Sequence, residues 1–280
     1  MTEATTMSPI QQAASVTWQK QLFYKSLNTM LALLCALVVP ALLLCLWWTA
    51  FQQQWLAEQI LPAPEWVWLT TVDLWQSGDL QHHFSISAQR IFYSVLLGGS
   101  LALALGIWFA LSDTAARYVL PSVQLIAQFP IIGWIPLLMI FLGIDEALKI
   151  VAISFAVLTP VLVATINGIQ QVPRQVLEVA QVYQLSKTQR FIKVVLPSSL
   201  PSLISGLRQG VMQAWLALVF VELLASSEGI GFLMVWGRQL MQMDLVFMAM
   251  VLIGLTGFVL DSVLAQLEQY SRYYATRIRS

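Results

Sequence analysis

The chain has 280 residues, 58% of them hydrophobic and 10% charged, with lysine plus arginine equal in number to aspartate plus glutamate. Soluble domains carry about 25% charged residues, so this chain lacks the polar coat of a water-facing globule and reads as a membrane protein. Zero net charge offers no electrostatic case for a nucleic-acid partner, and Cys35 and Cys45, both inside one apolar run, give neither a disulfide framework nor metal-ligand spacing.

At roughly 20 residues per span, the length accommodates about six spans. A polar leader, 1–28, precedes the first apolar run, 29–49, which is long enough to be a retained helix rather than a signal peptide. Trp47 and Trp48 stand where an interfacial aromatic belt belongs. Residues 50–86 carry Glu58, Glu65, Asp73 and Asp79 but no lysine or arginine, and read as an external loop. The second span is 87–111, with Gly98, Gly99 and Ser100 offering surfaces for close helix approach.

After a short "SDTAARY" turn, the third span, 119–142, contains Pro130, Gly133 and Pro136. Prolines at such depth kink or open a helix, and irregular backbone there must be buried in protein or line a cavity. Phe129, Pro130, Gly133, Trp134 and Pro136 are therefore candidate lining of a translocation path. Further spans fall at 148–168, 200–225 and 244–267. Between the last two, "SSEGIGFLMVWGRQLMQMD" is too short for a span with two loops and reads as a re-entrant or interfacial turn.

Basic residues set the orientation. With the N-terminus cytoplasmic, Lys20, Lys25, Arg117, Arg174, Lys187, Arg190, Lys193, Arg272, Arg277 and Arg279 lie inside. Only Lys149 and Arg238 lie outside, while Arg90 and Arg208 belong to spans. This asymmetry places both termini, including the tail 269–280, in the cytoplasm.

One charged stretch, 171–197, interrupts the apolar chain. Arg174 and Glu178 are spaced to pair, a contact contributing about 0.2–0.5 kcal/mol on an exposed helix. Ser186 and Gln189 have capping-box spacing, so a second short helix starts at Ser186 and ends at Pro197. Phe191, Val194 and Val195 share one of its faces, and Lys187, Arg190 and Lys193 occupy the rest. Such a pair of helices either lies among anionic lipid headgroups or docks on a partner protein.

The order of residues here resembles the EAA motif of ABC-transporter importer permeases. Glu178, Ala180, Leu196 and Pro197 stand at matching positions, Val179 and Val194 substitute apolar ones, and Gln184 replaces the usual glycine. "LPAPEWVW", "QFPIIGWIPLLMIFLGIDEALKI", "GIQQVPRQVLEVA" and "VVLPSSLPSLISGLRQGVMQAWLALVFVELLASSEGIGFLM" resemble the nitrate, taurine and aliphatic-sulfonate branch of that family, over about residues 60–268.

The resemblance implies an all-α polytopic membrane protein, similar to type I importer permeases, with its permease domain at 29–268. It would work in the bacterial inner membrane as a homodimer, with cytoplasmic ABC ATPase subunits and a periplasmic or extracellular substrate-binding protein. Leu177, Glu178, Ala180, Tyr183 and Gln184 would dock on the ATPase, buttressed by Ser186 to Lys193 and closed by Leu196 and Pro197. ATP and Mg would bind the partner, with no cofactor on this chain. A small anion such as nitrate, taurine or an alkanesulfonate is the implied solute; other members carry vitamin-precursor heterocycles. Gln184 takes a left-handed conformation at a cost of roughly 1 kcal/mol, or Leu185 and Ser186 make the turn differently.

Ionisable residues inside spans are functional candidates. Arg208 could attract an anion, snorkel to headgroups, or pair with a neighbouring helix, where Asp261 is available. Glu222 could brace the gate or the turn after it. Gly206 and Gly210 have small-xxx-small spacing. Gly229 and Gly231 suit a tight external turn rather than a phosphate loop, since no Walker sequence follows. His82 and His83 read as surface residues of the external loop rather than metal ligands. No nucleophile, base and acid converge, so an intramembrane enzyme ranks below a transporter. A gradient-driven carrier would call for paired carboxylates or inverted repeats, and a purely structural subunit would have no need of a broken third span.

Overall fold

In a computed structural model, which describes residues 38–279, every regular element among the described residues is helical. The chain divides into two units at Pro64. In the first, helix α1 (Val38–Gln52) continues the apolar run expected from residue 29, whose beginning lies outside the described residues, as does the segment 1–28. The Trp47 indole Nε1 donates to the Pro62 carbonyl at 3.0 Å, folding the following segment back beside the helix.

The second unit holds α2 (Pro64–Ser77), α3 (Asp79–Leu111), α4 (Asp113–Tyr118), α5 (Leu120–Ala127), α6 (Ile131–Leu142) and α7 (Glu146–Gln170). There follow α8 (Arg174–Val182), α9 (Lys187–Arg190), α10 (Leu196–Ala225), α11 (Ile230–Gln239) and α12 (Met243–Arg279). Four helical stretches among the described residues are long and apolar enough to cross a bilayer: α3, α7, the stretch containing α10, and α12 up to Tyr273.

Helix α7 is the central post. It runs parallel to α3 and antiparallel to α10, and its Leu148, Ala152, Ile153 and Val157 are wholly buried. The helices approach through small residues. A Cβ on Gly98 would stand 2.5 Å from the Ser154 carbonyl oxygen, and one on Gly206 would overlap the Ala164 methyl. Gly206 and Gly210 thus face α7, as their spacing anticipates. Hydroxyls reinforce the contact, with Ser94 Oγ donating to the Ile150 carbonyl and Ser154 Oγ to the Ser94 carbonyl. Helix α12 packs against α10 and α11.

Several expectations are revised. Residues 64–86 are not an irregular loop: α2 fills much of that segment, and α3 begins at Asp79, so His82 and His83 lie on a helix. The left-handed Gly78 (φ 87°) separates α2 from α3. The return between α3 and α7 is not one span. Helix α5 ends at Ala127, Pro130 adopts extended backbone (φ −57°, ψ 139°), and α6 starts anew. Pro136, in contrast, is accommodated inside α6.

Pro197 does not end a helix. Residues Phe191–Val195 form a π-helical turn in which Leu196 N–H donates to the Phe191 carbonyl, and the chain continues directly into α10. Pro197 therefore sits at the junction of the π turn and α10, where its missing N–H falls in a stretch whose hydrogen-bond register is already shifted. Helix α12 likewise runs through the segment expected as a tail.

Candidate functional site

Three places gather the chemistry-bearing residues. The first is the α8–α9 loop. Helix α8 ends when Gln184 takes a left-handed conformation, φ 53°. Leu185 N–H then donates to the Ala180 carbonyl at 3.2 Å and Gln184 N–H to the Gln181 carbonyl at 2.9 Å. This is a Schellman closure with glutamine where glycine is usual. Helix α9 opens with a full capping box: Ser186 Oγ accepts from Gln189 N–H at 3.3 Å, and Gln189 Oε1 from Ser186 N–H at 3.1 Å.

Of the residues singled out in this loop, Ala180 is buried, Leu177 half-buried, and Glu178, Tyr183 and Gln184 exposed. Val179, Val182 and Tyr183 are 55%, 81% and 76% exposed, an apolar knob that no other described residue covers. The Arg174–Glu178 pair does not form among the described ion pairs, as both side chains are well solvated and such a contact is worth little.

The second place is a buried charge cluster at the end of the bundle that holds α11. Arg90 on α3 is 3% exposed. Its Nε and Nη2 donate to the two Glu146 oxygens at 2.8 and 2.6 Å, and its Nη1 donates to Glu222 Oε1 at 2.7 Å and the Glu228 carbonyl at 2.8 Å. Lys149 Nζ also donates to Glu146, at 2.6 Å. Two cations thus face two carboxylates.

Glu222 ties the α10–α11 turn into this cluster. Its Oε1 also accepts from Ser87 Oγ at 2.7 Å, and its Oε2 from Gly231 N–H at 2.9 Å. Ser87 Oγ in turn accepts from Ile230 N–H, and His83 Nδ1 from Gly229 N–H, both at 3.0 Å. Three orphan amides at the start of α11 are therefore satisfied by side chains of α3 and α10. Gly229 has φ 110°, and a Cβ there would overlap the Glu222 carboxylate. His82 lies 3.7 Å from Glu228, and no metal-holding group of side chains exists among the described residues.

The third place is a cleft of about 500 Å³ at the α5–α6 break. Phe129, Pro130 and Trp134 line it together with Phe155, Thr159 and Gln213. Trp134 meets Phe129 edge-on at 6.0 Å between ring centroids and stacks over Phe155 at 6.4 Å. Gly133 and Pro136, from the same segment, are not among its lining. Arg208 is not there either: it reaches Asp261 through Nε and Nη2, both at 2.9 Å to the carboxylate oxygens, and Glu268 through Nη1 at 2.9 Å.

The geometry brings Phe129, Pro130 and Trp134 together, separates Arg208 from them, and buries Glu222 away from them. Sequence reasoning missed Arg90, Glu146 and Lys149 as a unit. The available signal was Arg90 itself, an ionisable residue in an apolar span that requires a partner.

Residues 102–273 match the family model described as a binding-protein-dependent transport system inner membrane component. A protein named as an aliphatic sulfonates transport permease, SsuC, of Bacillus subtilis is 34% identical over 233 residues, 83% of this chain and 84% of that one. The taurine transport system permease protein TauC of Escherichia coli is 29% identical over 82% and 85%. The nitrate import permease protein NrtB of Synechocystis is 30% identical over 65% and 66%. Among solved structures, an inward-facing MetNI methionine ABC transporter superposes with a TM-score of 0.58 at 15% identity, over 75% of this chain and 99% of that chain.

Proposed function

The chain belongs to the family of binding-protein-dependent transport system inner membrane components, and from that premise we propose how its residues carry out import. It is a multi-pass permease subunit of an ABC importer, a system with a separate ATPase and a substrate-binding protein. In our reading, α8 and the turn at Gln184 dock on the ATPase. Leu177, Glu178, Ala180, Tyr183 and Gln184 form the contact, Ser186 and α9 support it from behind, and Leu196 and Pro197 lead it into α10. ATP and Mg reside on the ATPase.

The observation that carries this reading is the shape of the loop. A Schellman closure and a capping box fix two short helices rigidly, yet the face they hold up is an unpaired apolar knob of Val179, Val182 and Tyr183. Rigid exposure of such a knob fits a protein groove better than headgroups, where an amphipathic helix needs no fixed corner.

We further infer two copies in the working complex, both termini in the cytoplasm, and an inner-membrane setting with lipid around the bundle. The names of SsuC, TauC and NrtB favour a small anion as solute, delivered by the binding protein.

Co-purification of the tagged chain with its cognate ATPase tests the coupling. Wild type should retain the ATPase, Glu178→Ala should weaken it, and Gln184→Pro should abolish it, because proline cannot adopt positive φ. Retention of the ATPase by both variants would refute docking through this loop.

A further inference from the structure

The entry of α11 hangs on one imidazole. His83 stands on the second turn of α3, half-buried, and its Nδ1 accepts from Gly229 N–H at 3.0 Å. Because Gly229 N–H can only donate, Nδ1 must offer a lone pair, and the ring in this bond is neutral with its proton on Nε2. The next two amides are held otherwise, Ile230 N–H by the Ser87 hydroxyl and Gly231 N–H by the Glu222 carboxylate. Of these three acceptors, histidine is the residue type that exchanges a proton near neutrality.

The neighbours give a charged ring another place to go. Asp79, exposed, precedes His83 by four residues on α3, the spacing at which a carboxylate meets a cation along a helix. Glu228, on the turn itself, is a second acidic neighbour, 3.7 Å from His82. Two groups oppose a further positive charge: His82, its ring centroid 5.7 Å from that of His83, and Arg90 farther along α3. Arg90 is already engaged by Glu146 and Glu222, and Lys149 by Glu146. On the α11 side, Phe232 packs on the imidazole at 6.0 Å between centroids and stacks on Trp236 at 5.8 Å, so a shift of the ring reaches beyond the first turn of that helix.

We propose that His83 is an acid-sensitive latch on the α10–α11 turn. Neutral, it holds the Gly229 amide. Protonated at Nδ1, it can only donate, so it gives that amide up and turns toward Asp79 and Glu228. Acid at this end of the bundle then loosens the first turn of α11, while Ser87 and Glu222 keep the following two amides. The latch is a property of the fold and does not depend on the permease reading.

Amide hydrogen exchange of the full chain in detergent tests it, at about pH 8 and about pH 5, on either side of the histidine range. Each rate is expressed as protection relative to the intrinsic chemical rate at that pH, and Gly229 is resolved by fragmenting the peptide that covers residues 226–234. In wild type the protection of Gly229 should fall by about tenfold at the acid pH, the equilibrium worth of one hydrogen bond, while residues 150–158 in α7 keep theirs. His83→Asn places an amide oxygen near the position of Nδ1 and does not titrate, so its Gly229 protection should hold constant; His82→Asn should fall as wild type does. Constant protection in wild type would overturn the latch, a result that needs no variant to fold. So would a fall that persists in His83→Asn, which would assign the titration to Glu222 or Glu228. A fall abolished by His82→Asn, or one matched by residues 150–158, would overturn it equally.

Discussion

Two arginines sit inside the apolar helices, and they are held in opposite ways. Arg90 is 3% exposed and bonds to α7, α10 and the turn before α11; Arg208 is 29% exposed and bonds to α12 alone. Arg90 is the keystone of four segments, because Glu222, which it engages, also holds the first amides of α11. Arg208 staples one pair of helices side by side. The same residue type in the same kind of helix thus locks one end of the bundle and merely aligns the other.

Truncation should expose this difference most plainly. Arg90→Ala leaves Glu222 buried without its cation, and breaking a buried pair costs about 3–5 kcal/mol; thermal unfolding of the detergent-purified protein should show a large loss of stability or no folded protein. Arg208→Ala should produce a clearly smaller shift in the same assay. Equal shifts would erase the contrast.

Glu222→Gln asks whether shape or charge matters at the locked end. The amide can still accept from Ser87 and Arg90, but its NH2 then confronts the Gly231 N–H, and an unsatisfied buried donor costs about 1–3 kcal/mol. Stability should fall between wild type and Arg90→Ala. Gly229→Ala should also destabilise, by about 1–2 kcal/mol, from positive φ and crowding of the carboxylate. Unchanged stability in Gly229→Ala would mean that the turn does not depend on close approach to Glu222.

The smallest effect belongs to the other end. Gln184→Gly should raise stability by up to about 1 kcal/mol by relieving the left-handed glutamine, as thermal unfolding would show. A loss of stability would show that the glutamine side chain contributes more than its backbone costs.

Local features were legible in the sequence. Ser186 and Gln189 announced the capping box, Gln184 in a glycine position marked a turn that either it or Leu185 and Ser186 would make, and Pro130, with Gly133 and Pro136, marked an irregular helix. The helix-facing role of Gly206 and Gly210 followed from four-residue spacing. What escaped was set by contacts remote in sequence. Glu146 and Glu222 lie 56 and 132 positions from Arg90, and no periodicity within α3 selects them. The π turn that carries the chain past Pro197 depends on a shift in hydrogen-bond register that residue type does not reveal.

That turn also settles where the molecule is pliable. From Lys187 to Ala225 the backbone is helical without interruption, yet its regular ladder is disturbed only by the π turn at Phe191–Val195 and by Pro197 and Pro201, which lack amide hydrogens. Bending in helices concentrates at such places. A helix flexes far more readily than it shortens, so a tilt of the α8–α9 loop would be taken up at this joint before it bent the rest of α10.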